Sequence, residues 1–429
     1  MNSFMEKFFD NDYNLSIKNK LIFPVIFLIF INLVLLKFSN IEKSFLFNDQ
    51  VLWVFIGILV FFFVSFLKID FIYQHSFKFL FVILFLLLIT SMLGSVVNNS
   101  RRWLNIGFLF QPSEIGKVLF VLFSAKLLSN FPKSINDFKI ISLSLLPTFL
   151  VSFMIFRQPD LGTSLVYIFL IFPMLFYSGI NFSSILIFLS PIISFLIAFI
   201  YEFIKNDLVL VNETYFFVFF VFWLSLLSNV ILRSTNYDLK YKYLFFCLFI
   251  NLLVTLATKF LWNIIIATYW FDRIKAFLNP GEHKRDLAWQ INSSYDAIGS
   301  GGLLGKGLGN GMLTEFKMMP IYESDFIVSA LAEQYGFAGI IVLISVLVYF
   351  FYWLITYLEK CLNQYEQLVL VGFSSIWFFH FIINLCIVSG LFPVTGLPFP
   401  FLSYGGTHFI TNCIMLAITN KIISLHISN

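Results

Sequence analysis

Residues 271–324 read FDRIKAFLNPGEHKRDLAWQINSSYDAIGSGGLLGKGLGNGMLTEFKMMPIYES. From Asp325 the chain turns into DFIVSALAEQYGFAGIIVLISVLVYFFYWL (325–354). The first stretch is polar and glycine-rich; the second is an almost unbroken apolar run. Irregular backbone at membrane depth survives only where protein or water covers it. The boundary at Ser324/Asp325 therefore marks a long surface loop entering a membrane span. A loop that brings carboxylates and cations to a bilayer surface is the first place to look for chemistry.

The rest of the chain explains why this loop stands out. Its 429 residues are 59% hydrophobic and 12% charged, with a mean hydropathy of +0.90. Soluble domains carry about 25% charged residues, so a soluble globular protein is excluded. Apolar runs of about 18–22 residues without strict alternation favour a helical bundle over an outer-membrane barrel. The 60 phenylalanines are spread along the whole chain and read as generic lipid-facing residues. A net charge of +4, with cations in short loops and no basic stripe, gives nucleic-acid binding no support. Cys247, Cys361, Cys386 and Cys413 are scattered and read as small buried hydrophobes. His75, His283, His380, His408 and His426 form no ligand spacing. The polar segment 1–20 precedes a span with no small-residue cleavage site, so that span reads as retained.

Apolar runs near 21–37, 51–67, 79–96, 114–129, 140–156, 161–178, 183–203, 214–232, 243–268, 325–356, 367–389 and 405–425 predict about twelve spans. Nine precede the large loop and three follow it. The loop then lies on the opposite side from both termini. Lys7, Lys18, Lys20, Lys68, Lys78, Lys126, Lys133, Lys139, Arg233, Lys240, Lys242, Lys360 and Lys421 fall on the side of the termini. Lys43, Arg101, Arg102, Arg157 and Lys205 fall on the other. By the positive-inside rule the termini are cytoplasmic and the loop faces outward. The loop's own cations break that rule, and an anionic ligand is the functional reason to consider.

Three further segments carry polar residues at helix starts. NIGFLFQPSEIGK (105–117) predicts a helix beginning at Pro112–Ser113, with Ser113 as N-cap. Glu114 and Lys117 are three apart on it and can pair. RQPDLGT (157–163) puts Asp160 between two apolar runs. PVTGLPFPFLSYGG (393–406) is a rigid apolar outer loop.

Taken together these segments resemble the SEDS family (shape, elongation, division and sporulation), the group of RodA and FtsW. The resemblance rests on Arg101-Arg102-Trp103 with Gln111-Pro112-Ser113-Glu114 and Lys117, and on Gln158-Pro159-Asp160-Leu161-Gly162-Thr163. It continues in Ala297-Ile298-Gly299-Ser300-Gly301-Gly302 with Gly305-Lys306-Gly307, and in Asp325-Phe326-Ile327 with Glu333 and Gly336. Pro393-Val394-Thr395-Gly396-Leu397-Pro398 through Ser403-Tyr404-Gly405-Gly406 completes it. The order is the family's, from about residue 100 to 410. The family usually has ten spans, so an inserted pair between Leu161 and Phe271 accounts for twelve. The whole chain, 1–429, then reads as one SEDS membrane domain with 271–324 as its extracytoplasmic catalytic loop. One motif departs: the family's Pro-Glu-x-x-Thr-Asp-Phe is here Pro320-Ile321-Tyr322-Glu323-Ser324-Asp325-Phe326. The usual Glu-Glu is Glu333-Gln334.

The resemblance implies a peptidoglycan glycosyltransferase that polymerises lipid II on the outer face of the bacterial cytoplasmic (inner) membrane. It leans towards a RodA-like role in elongation and shape. A septal FtsW-like polymerase and a lipid II flippase, to which a membrane-depth Lys259 would suit, are the alternatives. Asp325 is the implied catalytic base. Arg101, Arg102, Lys117, Lys306 and Ser324 are candidates for the substrate and its pyrophosphate. Glu114, Asp160, Glu333 and Ser403 are expected to support the site. Simpler readings stand beside these. Asp325 and Asp160 can cap helices, Glu114–Lys117 can be a bracing ion pair, and the arginines can snorkel to headgroups. Gly299–Gly307 can be a turn cluster instead of a phosphate cradle with Lys306. No metal-ligand set is visible, although a divalent cation such as Mg2+ could assist. The implied partners are lipid II, membrane lipid and a class B penicillin-binding protein transpeptidase.

Overall fold

The computed structural model describes residues 2–38, 44–97, 100–131, 137–207, 213–234, 240–263, 269–278, 289–311 and 322–427. The helices before the large loop are α1 Asn2–Lys37, α2 Ser44–Phe66, α3 Ile69–Leu93, α4 Pro112–Ser129, α5 Asp137–Phe156, α6 Leu161–Tyr177, α7 Phe182–Asp207, α8 Glu213–Ser234 and α9 Lys240–Phe260, and residues 264–268 of the expected span 243–268 lie outside the described residues. Two shorter helices, α10 Tyr269–Leu278 and α11 Trp289–Gly301, follow. The chain closes with α12 Ile327–Lys360, α13 Gln364–Val388 and α14 Gly406–Ile427. Among the described residues, nine helices are long and apolar enough to cross a membrane; α6 and the core of α9 are shorter apolar helices. The chain is a multi-pass membrane protein.

Contacts group the chain into two compact units. The first comprises residues 1–133, 142–174 and 276–429; the second comprises 134–141 and 175–275. In the first unit α3 packs along α4, α14 along α2, α13 along α4, and α11 along α12. Close helix approach needs small residues where backbones meet. Gly372 on α13 is one: a Cβ there would stand 2.4 Å from Val121 Cγ1 on α4. The outward faces are apolar, as lipid requires. Phe55, Phe62, Phe63 and Phe66 on α2 are all exposed.

The span expected to reach residue 96 stops at Leu93. The chain then forms a three-stranded antiparallel sheet, β1 Ser95–Val97, β2 Ser100–Asn105 and β3 Leu109–Phe110. Ser95 pairs with Trp103, and Leu104 with Phe110. The central strand carries Arg101 and Arg102.

The second unit is built by α7, α8, α9 and α10. Ile187, Leu227 and Ile231 form one core cluster; Phe203, Trp262 and Phe271 form another. Between helices the glue is neutral. The Asn251 amide donates to Ser190 Oγ at 2.9 Å and accepts from Ser194 Oγ at 2.6 Å, and Trp223 Nε1 donates to Ser194 Oγ at 3.0 Å.

Candidate functional site at a broken helix

All the candidate residues lie in the first unit, and two segments of the loop, 279–288 and 312–321, lie outside the described residues. The proline and isoleucine of the altered motif, Pro320 and Ile321, fall there too. What is described is more ordered than a glycine-rich loop suggests, because α10 and α11 occupy much of it.

The site begins where α12 breaks. Gly336 has φ 67° and ψ −162° inside this helix, so residues 327–335 form a short inner segment before the long span. From Ile327 to Gln334 every side chain is buried. The break exposes carbonyls that the helix can no longer satisfy, and the glycine loop meets them. Lys306 N–H donates to Glu333 O at 3.0 Å and Gly307 N–H to Gln334 O at 3.1 Å; Phe337 N–H returns a bond to Gly302 O at 2.9 Å. Only glycine permits this approach: a Cβ on Gly305 would lie 2.2 Å from Gln334 O, at a φ of +80°. Gly305 N–H is taken by Gly301 O at 2.8 Å. The amides of residues 305–307 thus face carbonyls and are not the donors of a phosphate cradle in this conformation. Lys306 Nζ pairs with Glu333 Oε1 at 3.1 Å, the carboxylate fully buried and the lysine side chain 25% exposed. The glycine cluster is a docking seam between two backbones.

Asp325 sits in the turn just before the inner segment. The N-cap position of α12 belongs to Phe326, which makes no side-chain cap bond. Asp325 is half-buried, and Ser324 Oγ donates to its Oδ1 at 3.1 Å. The turn is gripped through its backbone. Ser403 Oγ donates to Ser324 O and accepts from Phe399 N–H at 2.8 Å. Tyr404 N–H donates to Glu323 O at 2.8 Å. Asn384 on α13 donates to Asp325 O and to Leu397 O, each at 2.9 Å. The Tyr404 phenol stays neutral, since burial and then the Asp49 and Glu323 carboxylates push its pKa up. A Cβ placed on Gly396 would lie 3.6 Å from Asp325 Oδ2, so the 393–406 loop walls the carboxylate closely.

Arg102 and Asp160 form a second group. Helix α4 starts with Pro112 at its first position, and the cap residue is Gln111, not Ser113. The Gln111 side chain reaches instead to Asp160 Oδ2 at 2.9 Å. Asp160 also accepts from Thr163 N–H at 3.2 Å, as an N-cap of α6 does, and from Thr163 Oγ1 at 3.0 Å. Arg102 is not a snorkelling side chain. Its guanidinium donates to Gln158 O at 3.3 Å and to Pro159 O, and lies 3.8 Å from Asp160 Oδ1. Arg101, its neighbour on β2, is exposed.

The third group is closed. Lys117 Nζ donates to Glu114 Oε1 at 2.8 Å and meets His380 Nε2 at 3.0 Å. His408 Nδ1 lies 2.8 Å from Glu114 Oε2, and His380 Nδ1 lies 3.0 Å from Pro398 O. The protons follow from the partners. A carbonyl only accepts, so His380 carries its proton on Nδ1 and presents the Nε2 lone pair to the ammonium. Glu114 only accepts, so His408 carries a proton on Nδ1. With both imidazoles neutral, the cluster holds one carboxylate and one ammonium and no net charge, the condition under which such groups tolerate burial. The Lys117 side chain is 1% exposed. Held on two sides, it does not present itself to a pyrophosphate in this conformation; the geometry favours bracing. Neither histidine was legible as part of a site, because the five histidines of the chain have no spacing and these two meet only in space.

Among the described residues no group of three or more His, Cys, Asp or Glu side chains could hold a metal. Glu114, Asp160 and Glu333 each face a cation or N–H and O–H donors.

These features define a multi-pass α-helical membrane protein whose candidate site is a carboxylate turn at a broken helix, braced by buried ion pairs. The family model for FtsW, RodA and SpoVE, described as "Cell cycle protein", matches residues 15–229 and 239–426, and the chain belongs to that family. The chain is 28% identical over 389 residues to the peptidoglycan glycosyltransferase RodA of Treponema pallidum, covering 87% of this chain and 88% of that one. It is 30% identical over 377 residues to the stage V sporulation protein E of Bacillus subtilis (strain 168), covering 85% and 84%. Its fold matches a chain from a structure described as "Structural coordination of polymerization and crosslinking by a peptidoglycan synthase complex". That match has a TM-score of 0.69 at 23% identity and covers 95% of this chain and 97% of that one.

Proposed function

We propose that this protein is an inverting glycosyltransferase that polymerises lipid II into glycan strands on the outer face of the bacterial inner membrane, in a RodA-like role. The observation that carries the reading is the half-buried Asp325 carboxylate, held on a turn gripped by Ser403, Tyr404 and Asn384 at the mouth of a broken helix. Family membership supplies the reaction class. An inverting transfer needs a base on the acceptor and stabilisation of the leaving charge. Asp325 takes the proton of the acceptor GlcNAc 4-hydroxyl as that oxygen attacks the anomeric carbon of the donor MurNAc. Undecaprenyl pyrophosphate leaves, and the α linkage becomes β. Ser324 orients the carboxylate through its hydroxyl. Exposed Arg101 is the first cation proposed for the pyrophosphate. Arg102, Lys117 and Lys306 are paired in this conformation and would have to exchange partners to join it.

In this reading both termini are cytoplasmic, Asp325 and α11 are extracytoplasmic, and a class B penicillin-binding protein crosslinks the strands. The decisive experiment is polymerisation of purified lipid II by the purified chain, alone and with such a transpeptidase, followed on a gel. Polymer from the wild type and none from Asp325→Asn supports the assignment. No polymer under either condition overturns it.

A further inference from the structure

Asn384 is fully buried on α13, one turn after His380. Its two amide hydrogens go to Asp325 O and Leu397 O, both at 2.9 Å. Its Oδ1 has no partner among the described residues. The orientation of the amide is therefore set by the two donations: turned over, Oδ1 would face two carbonyl oxygens. His380 takes the next carbonyl along, that of Pro398. One face of α13 thus holds two consecutive carbonyls of the 393–406 loop. From the same amide it also holds the carbonyl of Asp325. On the other side of that residue, Ser403 of the same loop holds Ser324 O. The peptide units before and after the Asp325 Cα are both tied to α13 or to the loop it grips. Redirecting the Cα–Cβ bond of Asp325 requires breaking one of these bonds, and Ser324 Oγ then holds the carboxylate at the end of that bond.

We propose that Asn384 is a positioning residue for transfer: it acts through the Asp325 backbone, fixing the point and direction from which the side chain leaves, and does not touch substrate. The inference rests on the reading of Asp325 as the base. A membrane-buried asparagine can also serve only as helix glue. Glue would show as lost folding and lost binding, whereas positioning shows as lost turnover in protein that still folds and binds.

The test uses the full chain in detergent with lipid II. Asn384→Asp keeps the shape and has no N–H to donate; Asn384→Ala lacks both donors as well. Either variant is expected to lower kcat by about 10²-fold, the effect of misplacing a reacting group by an ångström. Lipid II KM should stay at the wild-type value and the protein should still fold, with a Tm lowered by the two carbonyls left without a donor. Asn384→Gln, which keeps both donors on a longer arm, should recover part of kcat. In an Asp325→Asn background, Asn384→Ala should cause no further loss, because the group it positions is gone. Wild-type kcat in either donor-less variant overturns the proposal while leaving Asp325 as base. So does loss of folding or of lipid II binding in both, which would make Asn384 structural. An additive loss in the double variant also refutes it. If Asp325→Asn itself polymerises normally, the base assignment fails, and this inference fails with it.

Discussion

Glu114 and Asp325 are carboxylates in opposite situations. Glu114 is sealed, 2% exposed, with Lys117 on one oxygen and His408 on the other. Asp325 keeps a path to solvent and takes the Ser324 hydroxyl, while the bonds that hold it run through its backbone. The difference separates two tasks. A side chain locked by charged partners in a dehydrated cluster fixes the positions of helices and cannot change proton state without cost. A side chain on a rigid backbone, with a path to solvent, can accept a proton and release it. The Asn251 network of the second unit is a third kind, neutral and fully paired, which holds helices together and offers no proton chemistry.

The largest expected effect comes from breaking the sealed cluster. Lys117→Ala leaves Glu114 buried with only a neutral imidazole, at a cost of about 3–5 kcal/mol. A fall in Tm together with loss of activity is the expected outcome. The charge swap Glu114→Lys with Lys117→Glu should stay inactive. It would aim a carboxylate at the His380 lone pair and an ammonium at the His408 N–H. Recovery of polymer synthesis by the swap would show that the two histidines do not set the polarity of the pair.

Next comes Asp325→Asn. Turnover should fall by about 10²-fold or more, the worth of a general base, with Tm unchanged because the backbone bonds remain. A parallel drop in Tm would erase the distinction between the two carboxylates.

Lys306→Ala should cost less, about 1–3 kcal/mol, since it leaves the buried Glu333 carboxylate short of its cation. The double variant Lys306→Ala with Glu333→Ala should regain part of that loss in thermal melts. If Lys306→Ala instead leaves Tm untouched and weakens lipid II binding, Lys306 belongs with the ligands and not with the braces.

The smallest effect is a label. In a chain with its four native cysteines replaced, Ser300→Cys on exposed α11 should react with an impermeant maleimide on spheroplasts. Gln364→Cys at the start of α13 should react only after lysis. The reverse pattern would invert the proposed orientation while leaving the comparison of Glu114 with Asp325 intact.

Much of this was legible in the residues alone. Length and hydropathy of the apolar runs dictate the helices, because a lipid-embedded backbone has few other ways to satisfy its polar groups. The i, i+3 spacing of Glu114 and Lys117 announces their pairing, because local geometry on a helix depends only on spacing. Motif order alone pointed to the family and singled out Asp325. Contacts across hundreds of residues have no such local signature. His380 and His408 join Glu114–Lys117 from positions 263 and 294 residues away. Asn384 meets Asp325 across 59 residues. The glycines of 301–307 show their purpose only against the break at Gly336, and the strand bearing Arg101 and Arg102 only against β1 and β3. Sequence by itself determined which segments are apolar helices and which carboxylate stands at the turn before α12. Tertiary structure alone decided which charges are sealed and which remains open, because burial and partnership belong to the packed helices and not to any one of them.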